Sequence, residues 1–181
     1  ISLDLDDTLW PIWPSIERAE RALDAFLQQH CPRTAQRYPI HRMRQLREVI
    51  AARHPQYLHD FSHQRVLSLR HALEESGDDV AHAEPAYEAF FATRNQVDFY
   101  PDALAALARL SARLPLAALT NGNADIHRVG LGQYFKAALS AKNFGVGKPD
   151  PRIFHAAAQA VGVPPAEVLH IGDDAHLDGV G

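Results

Sequence analysis

Three short apolar segments of this chain run directly into polar side chains, and this pattern constrains the fold more than any other feature. The segments and the polar residues that end them are 1–5 with Asp4 and Asp6, 115–119 with Thr120, and 168–171 with Asp173. Apolar runs bounded by turn residues are typical of strands that are buried on both faces of a parallel sheet. The sequence therefore predicts an α/β fold with a doubly wound parallel sheet, whose carboxyl strand ends meet in one crevice.

A long helical block separates the first predicted strand from the others. Its apolar residues recur at helical spacing in four stretches, 15–29, 40–53, 60–76 and 80–95. Later in the chain we predict helices at 101–113, 124–130 and 151–161, and one more strand at 137–140. The block contains no strand pattern and no catalytic cluster. We therefore expect an α/β core formed by 1–14 and 96–181, with an inserted all-helical domain at 15–95.

Composition narrows the class of protein. A net charge of −4 over 181 residues offers no positive surface for nucleic acid, so no nucleic-acid partner is expected. Cys31 is the single cysteine, which rules out an internal disulfide and favours the reducing cytoplasm. No apolar run is long enough for a membrane span, and no signal peptide is visible. Because the first strand is short and Gly181 falls where a helix should begin, we expect a fragment of a longer protein.

The acidic run at 4–7 is the first chemical constellation. Residues i and i+2 of a strand face the same side, so Asp4 and Asp6 can point at one reacting group. Asp7 and Thr8 are expected to tie the following turn by side-chain hydrogen bonds. A cluster of carboxylates at a strand end is suited to sharing a cation rather than to packing.

Three later constellations fit the same crevice. Thr120 and Asn121 lead from an apolar strand toward exposed backbone N–H groups, which suits phosphate oxygens. Lys148 lies between glycines and prolines, so a rigid loop would present its charge. Asp173 and Asp174 end the last strand and supply the oxygen ligands that Mg²⁺ prefers.

These residues resemble the motifs of the haloacid dehalogenase superfamily, whose pattern is Asp-x-Asp-x-Thr, then Ser or Thr, then Lys, then an acidic Gly-Asp-Asp-like motif. The matching residues are Asp4, Asp6, Thr8, Thr120, Lys148, Asp173 and Asp174. The resemblance implies a phosphatase and makes the block at 15–95 a helical cap that closes over the site. Several local stretches also look like the bacterial subgroup that dephosphorylates 5-amino-6-(5-phospho-D-ribitylamino)uracil or flavin mononucleotide.

The resemblance also implies roles for the catalytic residues. Asp4 is the expected nucleophile, which forms an aspartyl phosphate. Asp6 is the expected acid and base. Mg²⁺ would be held by Asp4, by the backbone carbonyl of Asp6 and by Asp173. The substrate would be a small phosphorylated metabolite.

The remaining predicted site residues have supporting roles. Thr120, Asn121 and Lys148 are expected to hold phosphate oxygens, with Thr120 and Lys148 contributing to catalysis. Thr8, Asp174 and Asp178 are expected to orient the metal ligands and fix the loops around them.

Three other activities fit parts of this pattern. A sugar-phosphate mutase would use the same aspartates. A 2-haloacid dehalogenase would use the nucleophile without magnesium, although Asp6 and the acidic fourth motif argue against it. A phospho-accepting receiver module also uses an acidic pair, a hydroxyl and a lysine, but it has no helical insertion after its first strand.

Overall fold

The computed structural model describes residues 1–179, which form two compact units. The first unit consists of Ile1–Ile12 and the chain from Gln96 onward. The second consists of Trp13–Asn95. The chain therefore leaves the first unit shortly after its first strand and returns to it before its second.

A four-stranded parallel sheet forms the centre of the first unit. Its strands are β1 (Ser2–Leu3), β2 (Ala117–Thr120), β3 (Ala137–Ser140) and β4 (His170–Ile171). They lie in the order β3-β2-β1-β4. Ser2 of β1 pairs with Ala117 on one side and with His170 on the other. All four residues of β2 are buried, as expected for an interior strand.

Helices cover the sheet of the first unit. They are α6 (Ala103–Ser111), the short α7 (Ala141–Phe144) and α8 (Pro151–Val161). Asp150 caps α8 by accepting a hydrogen bond from the Arg152 N–H at 2.9 Å, and Gly162 ends it with φ of 76°. Ile153 of α8 packs against Leu119 of β2. This arrangement confirms the predicted α/β class.

The second unit is entirely helical apart from its connections. Its helices are α1 (Ile12–His30), α2 (Pro32–Arg37), α3 (Ile40–Arg53), α4 (Phe61–Ser76) and α5 (Ala83–Arg94). Leu23 and Leu27 of α1 pack with Leu69 of α4 and Phe90 of α5 in its core. Cys31 is buried in the same core. No helix among residues 1–179 is long and apolar enough to cross a membrane.

One local prediction from sequence was wrong, and one helix was missed. Residues 124–130 form turns rather than a helix, because the Asp125 carboxylate accepts hydrogen bonds from the backbone N–H groups of His127 at 2.8 Å and Arg128 at 3.3 Å. Such side-chain bonds offer the backbone an alternative to helical pairing. Helix α2 was not predicted, although Pro32 at its first turn is a helix-start signal.

Candidate active site

Asp4 and the turn after it lie at the carboxyl end of β1. The Asp4 N–H donates to the Ile171 carbonyl at 2.9 Å, which continues the pairing of β1 with β4. Asp7 adopts a left-handed φ of 58°, a conformation that aspartate tolerates better than most residues. Its N–H donates to the Trp10 carbonyl at 2.7 Å, and its side chain accepts from the Ile12 N–H at 2.9 Å. The turn is therefore tied by its own backbone and by Asp7.

Asp6 is oriented by a residue that the sequence reasoning did not select. The Trp10 indole N–H donates to Asp6 Oδ1 at 2.9 Å. Trp10 is fully buried and meets Phe99 edge to face, with ring centroids 5.7 Å apart. The other carboxylate oxygen, Oδ2, faces Gly122, where an added Cβ would lie only 2.4 Å away. A tryptophan four positions after the second aspartate was the available signal.

Lys148 links the first and last motifs of the site. Its Nζ lies 2.9 Å from Asp4 Oδ1 and 2.5 Å from Asp178 Oδ1. The Lys148 side chain is only 2% exposed, so both ion pairs are shielded from bulk water. The structure therefore brings the predicted nucleophile and the predicted lysine into direct contact.

The second motif positions the Lys148 loop. The Asn121 Nδ2 donates to the Lys148 carbonyl at 2.9 Å, and Asn121 Oδ1 accepts from the Lys148 N–H at 2.7 Å. The Asn121 amide is thus engaged on both sides with the backbone of Lys148. Thr120 Oγ1 accepts from the Gly122 N–H at 2.9 Å, and its hydroxyl proton remains a donor for a further group.

Asp178 joins the last loop to the lysine. Besides Lys148, it contacts His170 Nε2 at 2.8 Å and accepts from the Asp174 N–H at 3.0 Å. The loop packs closely here, because a Cβ at Gly172 would lie 2.2 Å from Asp178 Cγ. Burial acts to raise the pKa of Asp178, but the bonds from Lys148 and His170 outweigh it and hold the pKa below its ordinary value.

His170 is a second contributor that the sequence reasoning passed over, although it directly precedes the acidic motif. Burial lowers the pKa of His170, and the hydrogen bond and charge of Asp178 oppose this shift. A neutral ring that donates from Nε2 to Asp178 leaves Nδ1 to accept from the Ser2 hydroxyl, 2.8 Å away. Asp174 accepts from the N–H groups of His176 and Leu177, which fixes the turn that carries Asp178.

Asp4 carries the most perturbed carboxylate of the site. Burial raises its pKa to about 6, against the opposing effect of the Lys148 charge and hydrogen bond. Asp4 is only 8% exposed. A buried anion that one lysine does not fully compensate favours a second cation close by.

A group of three carboxylates could hold that cation. Oxygen atoms of Asp4, Asp173 and Asp178 all lie within 4.8 Å of one another. Thr8 Oγ1 donates to Asp173 Oδ1 at 3.4 Å. Carboxylate oxygens at this spacing fit the ligand preference of Mg²⁺. Asp178, which was expected to support the ligands, belongs to this group of side-chain oxygens, and the backbone carbonyl of Asp6 stays a predicted further ligand.

Sequence comparisons identify known enzymes that are similar to this chain. A family model described as a haloacid dehalogenase-like hydrolase matches residues 1–179. The 5-amino-6-(5-phospho-D-ribitylamino)uracil phosphatase YigB of Escherichia coli K12 is 33% identical over 182 residues, covering 98% of this chain and 76% of that protein. A phosphoserine phosphatase of Thermus thermophilus is 43% identical over 115 residues, covering 60% of this chain and 46% of that protein.

A solved structure is similar over the same extent. The crystal structure of a 2-haloacid dehalogenase from Pseudomonas syringae pv. tomato DC3000 superposes with a TM-score of 0.90 at 36% identity. The match covers 98% of this chain and 78% of that chain. Both phosphatase and dehalogenase names thus occur among the proteins similar to this chain.

Proposed function

This chain belongs to the haloacid dehalogenase-like hydrolase family, and on that premise we propose that it is a magnesium-dependent phosphatase of small phosphate monoesters. The observation that carries the proposal is the position of Lys148, whose ammonium group bridges Asp4 and Asp178 beside a third carboxylate, Asp173. A nucleophile, a buried cation and a set of oxygen donors for a metal ion are the groups that phosphoryl transfer requires.

Asp4 is the proposed nucleophile. Its carboxylate oxygen attacks the phosphorus atom, the ester bond breaks, and the phosphoryl group is held as an aspartyl phosphate. Water then attacks the same phosphorus and releases inorganic phosphate, which restores the carboxylate. The contact with Lys148 Nζ at 2.9 Å fixes the direction of the carboxylate before the attack.

Asp6 is the proposed general acid and base. Its Oδ1 accepts the Trp10 indole N–H, which orients the carboxylate. The carboxyl group gives a proton to the leaving alcohol in the first step and takes one from water in the second. Because Trp10 is fully buried, its hydrogen bond should hold the Asp6 carboxylate in one orientation through both steps.

The metal ion would be held by Asp4 and Asp173, with Asp178 close enough to be a further ligand or to orient the others. When bound, Mg²⁺ supplies Lewis acidity and offsets the negative charge that gathers on the phosphoryl oxygens. The donor set fits this ion, since every ligand is a carboxylate oxygen.

Thr120 and Lys148 are proposed to bind the other phosphoryl oxygens. The Thr120 hydroxyl lies at the end of β2, and the Lys148 ammonium group carries a full charge. We propose a positioning role for Asn121, since its side chain is bound to the Lys148 backbone on both sides.

We propose a phosphate ester of the riboflavin pathway, or flavin mononucleotide, as the first substrate to test. The proposal rests on the similarity to YigB, whose name states that activity and of which this chain covers 76%. Other small phosphorylated metabolites are the natural comparison set, because a phosphoserine phosphatase is also similar over 60% of this chain.

The test is phosphate release from a panel of esters, with Mg²⁺ or with EDTA. The panel contains 5-amino-6-(5-phospho-D-ribitylamino)uracil, flavin mononucleotide, phosphoserine and sugar phosphates. Asp4→Asn should abolish release, whereas the control Asp102→Asn, at an exposed position of the same unit, should retain it. Release that persists in Asp4→Asn, or that is equal in EDTA, would contradict the proposal.

One observation favours a second function. Because the structure superposes on a 2-haloacid dehalogenase with a TM-score of 0.90, the test also includes dehalogenase activity. The hydrogen bond from Trp10 to Asp6 and the carboxylate group around Asp173 favour phosphoryl transfer instead, since displacement of halide requires neither. Halide release from 2-chloropropionate in EDTA, without phosphate release from any ester, would establish the dehalogenase.

A further inference from the structure

The helical unit contains a positively charged cavity that the proposed reaction does not use. Its polar and charged lining comes from α1, from α3 and α4, and from Tyr38 between α2 and α3. The charged residues among its lining are Glu20, Asp24, Arg44, Arg47 and Arg65. The cavity volume is about 20 Å³, which is room for about one or two water-sized groups. Three arginines thus face two carboxylates around a very small space.

One of the three arginines is compensated. Both carboxylate oxygens of Glu20 accept hydrogen bonds from Arg44 Nε, each at 2.9 Å, and Arg44 Nη2 donates to the same group. Glu20 is buried, whereas the Arg44 side chain is 42% exposed, so only the acidic partner of this pair is shielded. The other carboxylate, Asp24, accepts a hydrogen bond from Gln28 Nε2 at 2.6 Å. The charges of Arg44 and Glu20 therefore compensate each other on one wall of the cavity.

Arg65 is not compensated in this way. It is only 8% exposed, yet its guanidinium makes no hydrogen bond or ion pair with any residue between 1 and 179. Its close partner is the Phe90 ring, with Cζ 3.6 Å from the ring centroid. Arg47, on the same cavity, likewise has no ion pair within the described part of the chain. Arg65 and Arg47 therefore face the cavity without an ion pair of their own, although Glu20 and Asp24 line the same space.

The electrostatics of Arg65 agree with this geometry. Burial is the main cause that lowers its pKa, to about 9, and the nearby charge of Arg47 adds to it, while Glu20 opposes both. The group still remains protonated at neutral pH. Burial of the Arg65 charge carries a desolvation cost that the Phe90 ring and Glu20 offset only in part, so an anion in the cavity would stabilise the folded unit.

We propose that this cavity is a binding site for a small inorganic anion of about the size of chloride, with the Arg65 guanidinium as its principal donor and Arg47 as a second positive charge. The volume of about 20 Å³ is enough for one small ion of this kind. All residues that line the cavity belong to the unit Trp13–Asn95, and the proposed phosphatase chemistry gives none of them a role.

Thermal unfolding at constant ionic strength tests the site. The full chain is titrated with sodium chloride in place of sodium gluconate, whose anion is too large to enter. Chloride should raise the Tm until the site is saturated, by about 3–5 °C for each tenfold gain in the ratio of folded to unfolded protein, as mass action on a chain of this size predicts. Arg65→Met should abolish the chloride dependence, whereas Arg53→Gln, an exposed arginine of α3, should leave it unchanged.

Crystals soaked in sodium bromide provide a second measurement that does not depend on any variant folding. An anomalous bromide peak within hydrogen-bond distance of Arg65 is the expected result. Equal Tm values in chloride and gluconate would overturn the proposal, as would chloride dependence that survives in Arg65→Met. Water density in the cavity after a bromide soak, with no anomalous peak, would also overturn it.

Discussion

Replacing Asp4 by asparagine is expected to stabilise the metal-free protein while it abolishes turnover. The carboxylate of Asp4 is buried, and burial raises its pKa from 3.8 to about 6 in spite of the contact with Lys148. The ionised form is therefore less stable in the folded protein than in the unfolded chain. Asparagine keeps the shape and an acceptor oxygen for Lys148 but carries no charge, so the substitution removes this cost.

The size of the effect follows from the shift in pKa. A difference of about two units at ~1.4 kcal/mol per unit amounts to about 3 kcal/mol at pH values above both pKa values. Because the folded state binds the proton at higher pH than the unfolded state, the cost is absent below pH 3.8 and develops as the pH rises through about 6. At about pH 4.5, the same linkage predicts that the Asp4 carboxylate lowers the free energy of unfolding by only about 1 kcal/mol.

Thermal unfolding in EDTA, at about pH 7.5 and about pH 4.5, measures both values. A gain of about 3 kcal/mol corresponds to a rise in Tm of about 6–12 °C for a chain of this size, and the rise should shrink to about a third at the lower pH. Asp102→Asn, which lies on the surface of the same unit, should change Tm little at either pH. A lower Tm for Asp4→Asn at neutral pH, or an equal gain at both pH values, would refute the reasoning.

Three further substitutions probe the contacts around the nucleophile. Lys148→Met leaves neighbouring buried carboxylates without their cation, so urea unfolding in EDTA should show that the free energy of unfolding falls by about 3 kcal/mol. A decrease of less than about 1 kcal/mol would contradict the assigned ion pairs. Gly172→Ala places a Cβ 2.2 Å from Asp178 Cγ, and the displaced carboxylate should lower kcat/KM about 100-fold without loss of the folded circular dichroism spectrum. Trp10→Phe removes the donor to Asp6 Oδ1 and should lower kcat about tenfold in steady-state assays while KM stays nearly constant; a change in KM alone would argue against an orienting role.

Much of the local structure was predictable from the sequence, for identifiable reasons. The helix prediction at 151–161 matches α8, because Asp150 and Gly162 bound its apolar face with a cap and a stop signal. The strand prediction at 137–140 matches β3. The helix prediction at 124–130 failed because Asp125 satisfies nearby N–H groups, a local competition that apolar spacing does not reveal.

The clustering of polar groups at the strand ends could also be predicted from residue types alone. Apolar runs that finish in Asp4, Thr120 and Asp173 imply that polar groups gather at one edge of a parallel sheet, since parallel strands share the edge at which they end. That rule requires no knowledge of side-chain positions. It predicted that Asp4 and Asp173 lie close together, and the structure places their carboxylate oxygens within 4.8 Å of each other.

The partners within the crevice were decided by tertiary structure. Asp178 meets Lys148 across 30 positions of sequence, and Asn121 meets the Lys148 backbone across 27. No local pattern encodes these pairs, because they depend on how two loops pack at the end of the sheet. The raised pKa of Asp4 arises in the same way, since burial by distant segments, rather than its neighbours in sequence, removes water from its carboxylate.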